Sequence, residues 1–335
     1  MYERFFGLRE RPFDLKPDPR FLFLSPRHLE ALTHLKYGLS GRPGITMLVG
    51  DAGTGKSTLL RATINAINDG ASRIAVLSNP TLKRDEFYEH LAAELGFSAE
   101  AAASKVAFLR ELEAALESCA QRGGFVGLIV DEAQSLPDEL LEELRLLTNA
   151  GDDLNRSLTL VLAGQPELAD RLNDPALRQL KQRVALRAEL APFSLKETAG
   201  YIATRITTAG GRADQLFSRD AVITIHEASN GLPRIISVLC DNALVNGFAA
   251  GVRPVGSAIV AEVCANFDIQ LVSETVGNVV QSTPAPAEVK AAAIAPSHAP
   301  VQELATPPET QTSTQSMFGS YQGPKRFSFF RGARQ

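Results

Sequence analysis

The chain has 335 residues, 44% hydrophobic and 21% charged, with net charge −4 and an isoelectric point near 5.8. That length suits two domains, or one large domain with a lid and a tail, and the acidic balance excludes a global basic field for nucleic acid. Three cysteines without C-x-x-C spacing and five histidines without a ligand pattern argue against disulfides and zinc, and fit a reducing compartment.

The start, MYERFFGLRERPFD, is charged throughout and lacks a signal peptide's apolar core. No uncharged apolar run reaches about 18 residues, so a soluble, cytoplasmic protein is expected. Phe5, Phe6, Leu8, Pro12, Phe13, Pro17, Pro19 and the run 21–24 are too irregular for one helix. The Pro12-Phe13 corner either walls an adenine ring or plugs the domain. Leu29, Leu32, Leu35 and Leu39 fall at helical spacing and predict an amphipathic helix over 26–39.

Residues 45–49 read as a buried strand, ending at Gly50-Asp51-Ala52-Gly53-Thr54-Gly55-Lys56-Ser57. This octet is a full G-x-x-x-x-G-K-S match, a cradle for a polyphosphate. Its glycines let the backbone turn successive N–H groups inward as an anion nest. A helix starting near Lys56, continuing from Thr58 to Ile67 and stopped by Asp69-Gly70, adds the positive end of its dipole. Lys56 is placed to reach the β- and γ-phosphates, and the Ser57 hydroxyl to ligate Mg²⁺. ATP and Mg²⁺ are the expected ligands.

A strand follows at 73–77, then helices at 84–95, closed by Gly96, and 105–121, closed by Gly123-Gly124. The apolar strand 125–130 runs into Asp131-Glu132. Carboxylates at the end of a buried parallel strand sit on the ligand edge of an open α/β sheet. Asp131 is expected to hold the Mg²⁺ shell opposite Ser57, and Glu132 to polarise the attacking water. The 75 positions between Lys56 and Asp131 hold one further strand with its helices. That ordering fits ATP-hydrolysing P-loop proteins better than GTPases.

A helix is expected over 136–147 with Leu140, Leu141, Leu144 and Leu147 inward. The strand 158–163 ends in Gly164-Gln165-Pro166, making Gln165 a candidate sensor of the γ-phosphate or the water. A helix over 168–182 is basic toward its end, around Arg171, Arg178, Lys181 and Arg183. One such arginine is a candidate to cross a subunit boundary and neutralise transition-state charge; a solvated basic face is the alternative. Beyond Pro192 strand signals largely disappear. The capping box Ser194-x-x-Glu197 opens a helix to about Thr208, and helices at 218–229, 233–248 and 257–266 complete a lid. Arg234 is expected at a hinge facing the nucleotide. From about Gln270 the composition turns to Pro, Ala, Ser, Thr and Gln and reads as a disordered tail. Its end, residues 325–331, alternates basic and aromatic side chains suited to a partner or an anionic lipid surface.

The stretches FGLRERPFDLKPDPRFLFLSPRHLEAL, GDAGTGKST, LIVDEAQSLPDELLEELRLLTN, LVLAGQPEL, LRQLKQRV and NGLPRIISVLCDNAL together resemble one family. It is the general secretion pathway A (ExeA-like) AAA+ ATPases, including relatives encoded beside exosortase and exopolysaccharide clusters. The likeness spans about residues 1–270. It implies an α/β P-loop core at 45–191, a helical lid at 192–270 and an N-terminal segment, 1–44, packing on the core, with the tail at 271–335. It further implies a homo-oligomer, a ring or another assembly, serving partner proteins of envelope secretion or polymer export, with membrane contact indirect at the inner face. Position by position, Lys56 and Ser57, followed by Thr58, match Walker A, and Asp131 and Glu132 match Walker B. Gln165 matches sensor 1 and Arg234 sensor 2; Arg183, then Arg178, fall in the arginine-finger region. Many secretion-type members continue into a transmembrane helix and a wall-binding domain where this chain has its low-complexity tail, so direct wall binding is not expected. A DNA-coating transposition regulator is the alternative, with 171–187 as its basic stretch. A capsule-type tyrosine autokinase fits poorly, because only Tyr321 lies in the tail.

Overall fold

Five apolar segments form one parallel sheet: β1 Ile45–Gly50, β2 Arg73–Leu77, β3 Val126–Val130, β4 Thr159–Gly164 and β5 Val184–Leu190. Their order is β2-β3-β4-β1-β5. This is a computed structural model, and it describes residues 1–16, 18–40, 44–67, 70–78, 82–150 and 158–269. β1, β3 and β4 are buried at every position, as central parallel strands covered on both faces must be. The strand expected between the two phosphate-site motifs is β2, which lies outside β3. β4 sits between β1 and β3, so the loop after β1, the acidic pair after β3 and Gln165 after β4 meet at one edge.

The helices are α1 Tyr2–Phe6, α2 Pro26–Leu39, α3 Lys56–Ile67, α4 Arg84–Leu95, α5 Ala99–Ala103, α6 Lys105–Gln121, α7 Asp138–Leu147, α8 Pro166–Arg171 and α9 Arg178–Lys181. They continue with α10 Leu195–Thr208, α11 Ala213–Leu216, α12 Arg219–Ser229, α13 Pro233–Ala249 and α14 Ser257–Asn266. Alternate strand residues feed two cores. Met47 and Val49 join Phe87, Phe108 and Leu144 on the α4, α6 and α7 face. Leu48, Ile129 and Val161 join Leu35, Leu39 and Leu59 of α2 and α3 on the other. Glu143 is buried between the helices of the first face, accepting hydrogen bonds from Tyr88 at 2.5 Å, Lys105 at 2.6 Å and Arg84. Helices α10–α14 build a third core around Ile202, Ile225, Leu239 and Val260.

Several expectations are corrected. The N-terminal segment 1–44 does not pack on the sheet core as a unit. Tyr2, Phe6, Phe13, Phe21 and Phe23 are buried in the lid's core, and only α2 covers the sheet. Phe13 meets Phe217 with ring centroids 6.3 Å apart, so the Pro12-Phe13 corner plugs the lid. Leu29 is 51% exposed, because the buried stripe of α2 is His28, Ala31, Leu32, Leu35 and Leu39. The expected helix over 168–182 breaks into α8, a 3-10 turn Pro175–Leu177 and α9. Asp174 caps that turn through the Ala176 N–H at 2.8 Å, and Pro175 cannot continue a preceding helix. α7 starts at Asp138 after a 3-10 turn, Ala133–Ser135. β5 is an edge strand that the sequence reading does not pick out, since exposed Arg187 and Glu189 interrupt its apolar side chains. The expectations for the tail, including its basic-aromatic end, and for Asp69, lie outside the described residues.

The lid is stitched to its connector at one crowded point. Phe193 N–H donates to the Gly231 carbonyl at 2.8 Å. Gly231 has φ 72°, and a Cβ there would lie 2.1 Å from the Phe193 carbonyl oxygen. Gly231→Ala is therefore expected to destabilise the fold by about 2 kcal/mol or more, measured by urea unfolding against the native chain.

Candidate functional site

The site is built from backbone turns at the carboxyl edge of the sheet. β1 ends at Gly50, and Gly53 at φ 87° carries the loop around to α3, a conformation that a side chain would strain. The Thr54 hydroxyl donates to the Asp51 carbonyl at 2.8 Å and holds the loop's width. Lys56 is 4% exposed, and its Nζ donates to the carbonyls of Gly50 at 2.6 Å and Asp51 at 3.1 Å. Burial pushes its ammonium below the ordinary lysine value, opposed by the nearby carboxylates of Glu132, Asp131 and Asp51.

The loop and the acidic pair, 74 positions apart, are in direct contact. Ser57 Oγ donates to Asp131 Oδ2 at 2.6 Å. A hydroxyl and a carboxylate side by side form the hard oxygen set that Mg²⁺ takes together with water and phosphate. Among the described residues no group of three or more His, Cys, Asp or Glu is arranged to hold a metal by itself.

Glu132 has φ 55°, uncommon for a residue with a side chain and frequent at functional turns. Its Oε2 accepts from Gln134 Nε2 at 2.7 Å and from Gln165 Nε2 at 3.4 Å. Gln165 N–H in turn donates to Gln134 Oε1 at 3.0 Å. Gln134 thus links the two residues that the sequence singles out, and the sequence reading missed it. The available signal was a second polar side chain two positions after the glutamate. Arg171 braces this turn, donating to the carbonyls of Gln134 at 2.5 Å and Leu136 at 2.8 Å and pairing with Asp138.

Arg234 reaches the loop from the lid. Its N–H donates to the Gly53 carbonyl at 3.3 Å, and a Cβ at Gly53 would lie 3.1 Å from the Arg234 Cβ. The loop residues 52–58, Glu132 and Arg234 border a cleft of about 420 Å³, within the size range of small-molecule sites. Phe21, Phe23, Tyr201 and Arg205 also line it; the sequence reading names the run 21–24 only as part of the entry segment and does not single out Tyr201 or Arg205. Arg205 lies over the Phe21 ring at 5.3 Å and donates to Tyr201 Oη at 2.9 Å. The two finger candidates stay away from this cleft. Arg183 donates to Thr148 Oγ1 at 2.7 Å and to Asn149, at the opposite end of the sheet where β5 begins. The Arg178 side chain is exposed and makes no hydrogen bond or ion pair among the described residues.

This edge, with its glycine loop, acidic strand end and lid, defines a P-loop nucleotide-binding protein of the AAA+ class. Residues 39–172 match the AAA domain family. The chain is ExeA-like: it is 38% identical over 251 residues to general secretion pathway protein A of Aeromonas hydrophila. That match covers 75% of this chain and 46% of the relative, so the chain spans about half the relative's length. Among solved structures, Drosophila ORC bound to DNA is similar at TM-score 0.58 and 19% identity, over 77% of this chain and 65% of that one. The Aeropyrum pernix ORC2 protein in its ADPNP-ADP complexes gives 0.57 and 18%, over 76% and 71%. The Thermotoga maritima RuvB Holliday junction branch migration motor gives 0.51 and 20%, over 78% and 74%. At these identities the structural likeness establishes the fold alone. The three cysteines are buried and free, and no described helix is long and apolar enough to cross a membrane.

The two arginines differ in what they hold. Arg171→Ala strips a charged donor from two carbonyls and is expected to cost roughly 1.5–3 kcal/mol. Arg178→Ala should stay within about 0.5 kcal/mol, so thermal unfolding of the two variants side by side tests the assignment.

Proposed function

We propose that the chain is a Mg²⁺-dependent ATPase acting as a motor or switch in the assembly of envelope secretion or exopolysaccharide export machinery. The observation that carries the catalytic part is the 2.6 Å contact between Ser57 and Asp131, which unites the phosphate loop with the acidic strand end. Bound Mg²⁺-ATP brings the phosphoryl group to be transferred and the metal charge that offsets it. Gly50, Asp51, Ala52, Gly53, Thr54 and Gly55 supply the backbone amides, and Thr58 extends the cradle into α3. Lys56 Nζ exchanges the Gly50 and Asp51 carbonyls for phosphate oxygens. Ser57 and Asp131 provide metal ligands.

In this reading Glu132 takes the proton of the attacking water once Gln134 and Gln165 release its carboxylate. Gln165 senses the γ-phosphate, because it already bridges β4 and Glu132. Arg234 couples the lid to the loop. The arginine from a neighbouring subunit of the homo-oligomer is Arg178 or Arg183. The free, exposed side chain of Arg178 favours it, while Arg183 would first have to leave Thr148 and Asn149. The core at 45–191 and the lid at 192–270 act as the moving parts, with residues 1–23 travelling with the lid.

The envelope role rests on the relative's place in a secretion pathway, and with it the proposed site of action, the cytoplasmic side of the membrane. The DNA-regulator reading gains little here: net charge is −4, and the structure shared with DNA-associated proteins is a matter of fold.

Lys56→Ala is expected to abolish ATP binding in an equilibrium titration. Glu132→Gln should retain binding while turnover falls about 10²–10⁴-fold; equal loss of both would remove the role given to Glu132. Turnover per subunit should rise with protein concentration, and an Arg178→Ala or Arg183→Ala variant should lose that rise, worth about 10³–10⁵ for fingers supplied in trans. A flat concentration series would exclude a trans arginine.

A further inference from the structure

A histidine stands where the apolar stripe of α2 should begin. His28 is 4% exposed, in line with Ala31, Leu32, Leu35 and Leu39, and it lies under the phosphate loop. Its Nε2 is 3.0 Å from the Thr54 carbonyl oxygen. A carbonyl can only accept, so Nε2 carries the hydrogen and Nδ1 is left as an acceptor. Ser25 supplies the matching donor, its hydroxyl 2.8 Å from Nδ1, while that same oxygen accepts the His28 N–H at 3.4 Å as the cap of α2. Burial lowers the ring's proton affinity, in keeping with this neutral form. The ring face tilts at 50° against Phe193, 5.3 Å away, and Phe193 is itself held by Phe23 and Tyr201. Every feature that fixes the tautomer and the ring plane is therefore present.

What this fixes is one peptide of the loop. In a planar trans peptide the C=O of one residue and the N–H of the next point in opposite directions. With the Thr54 carbonyl turned to His28, the Gly55 N–H is turned away from α2. The preceding carbonyl, Gly53, is held in the same manner by the Arg234 N–H. Two successive loop carbonyls are thus satisfied by donors from outside the loop, one from the helix that precedes β1 and one from the lid.

We propose that His28 is a positioning residue for nucleotide binding, whose Nε2–H holds the Thr54 carbonyl so that the Gly55 amide stays aimed at phosphate. This rests on the reading of 50–57 as a triphosphate cradle and adds a residue that the G-x-x-x-x-G-K-S pattern does not contain. His28 touches no reacting atom; it acts through the loop backbone. The role requires a donor at the Nε2 position, not merely a side chain of that volume.

The test is titration of the full chain with a fluorescent ATP analogue and Mg²⁺, in native, His28→Leu and His28→Gln forms, with unfolding of each nucleotide-free protein recorded in parallel. The leucine variant fills the space without a donor and should bind about tenfold more weakly, the equivalent of one lost hydrogen bond of about 1.4 kcal/mol. The glutamine variant reaches the same point with an amide N–H and should recover to within about threefold of native. Turnover at saturating ATP should change little in both, so the defect falls on KM and not on kcat. If His28→Leu does not fold, His28→Asn, too short to reach Thr54, takes its place with the same expected loss. Native-like affinity in the donorless variant, or a glutamine variant no better than it, overturns the proposal while leaving the cradle reading intact. Absence of binding by the native protein overturns the cradle reading, and the role of His28 with it.

Discussion

A hydroxyl and a carboxylate separated by 74 positions touch at 2.6 Å, and the placement of everything else at the site follows from what makes that contact possible. Ser57 lies in the first turn of the helix after β1, and Asp131 directly follows β3. They meet because all strands are parallel and β4 separates the two by one strand width, so that their ends share an edge. Helices on both faces free that edge of bulk and leave backbone amides and polar side chains to line it. The same geometry brings Gln165, at the tip of the intervening strand, against Glu132.

The polar groups of this edge are engaged with one another. Lys56 is folded onto loop carbonyls, Ser57 onto Asp131, and Glu132 onto two glutamine amides. Lys56 is buried and Glu132 half-buried, and both have hydrogen-bond partners, as low-dielectric surroundings demand. Each partner is also one that a triphosphate and its metal can replace with a stronger, charge-assisted interaction. Under the proposed function the site would exchange partners on binding and need not uncover lone charges.

The lid has an unexpected composition. Five aromatic side chains from the first 23 residues complete its core, and each buried ring contributes roughly 1.5–3 kcal/mol of burial. The chain thus enters through the lid, crosses to the sheet at Ser25 and His28, and returns to the lid at Phe193. Both crossing points lie beside the phosphate loop. His28 and Phe193 are in contact there, and Arg234 meets the loop from the lid's longest helix.

The sequence by itself determined the local features: strands and helices with a clear period, their caps, and the pairing of a glycine loop with an acidic strand end. α2, β2, α4, α6 and α14 lie where the spacing of apolar residues puts them, because a helix or strand face is a property of a few neighbouring residues. Lys56, Ser57, Asp131 and Glu132 were legible for the same reason, since loop and strand-end chemistry is set within eight positions. Tertiary structure alone decided which body a segment joins. Phe13 and Phe21 are apolar under either assignment, and only the lid's vacancy for rings selects one. It also decided β5, whose charged outer residues hide the strand until α2 and β1 cover its other sides, and the break at Pro175. Gln134 lies two positions from Glu132, within local reach, but which of the polar residues there faces the carboxylate is decided by how the turn folds. His28 was invisible for a different reason: its importance lies in a hydrogen bond to Thr54, and a donor's partner across 26 positions is fixed by packing, which no local pattern records.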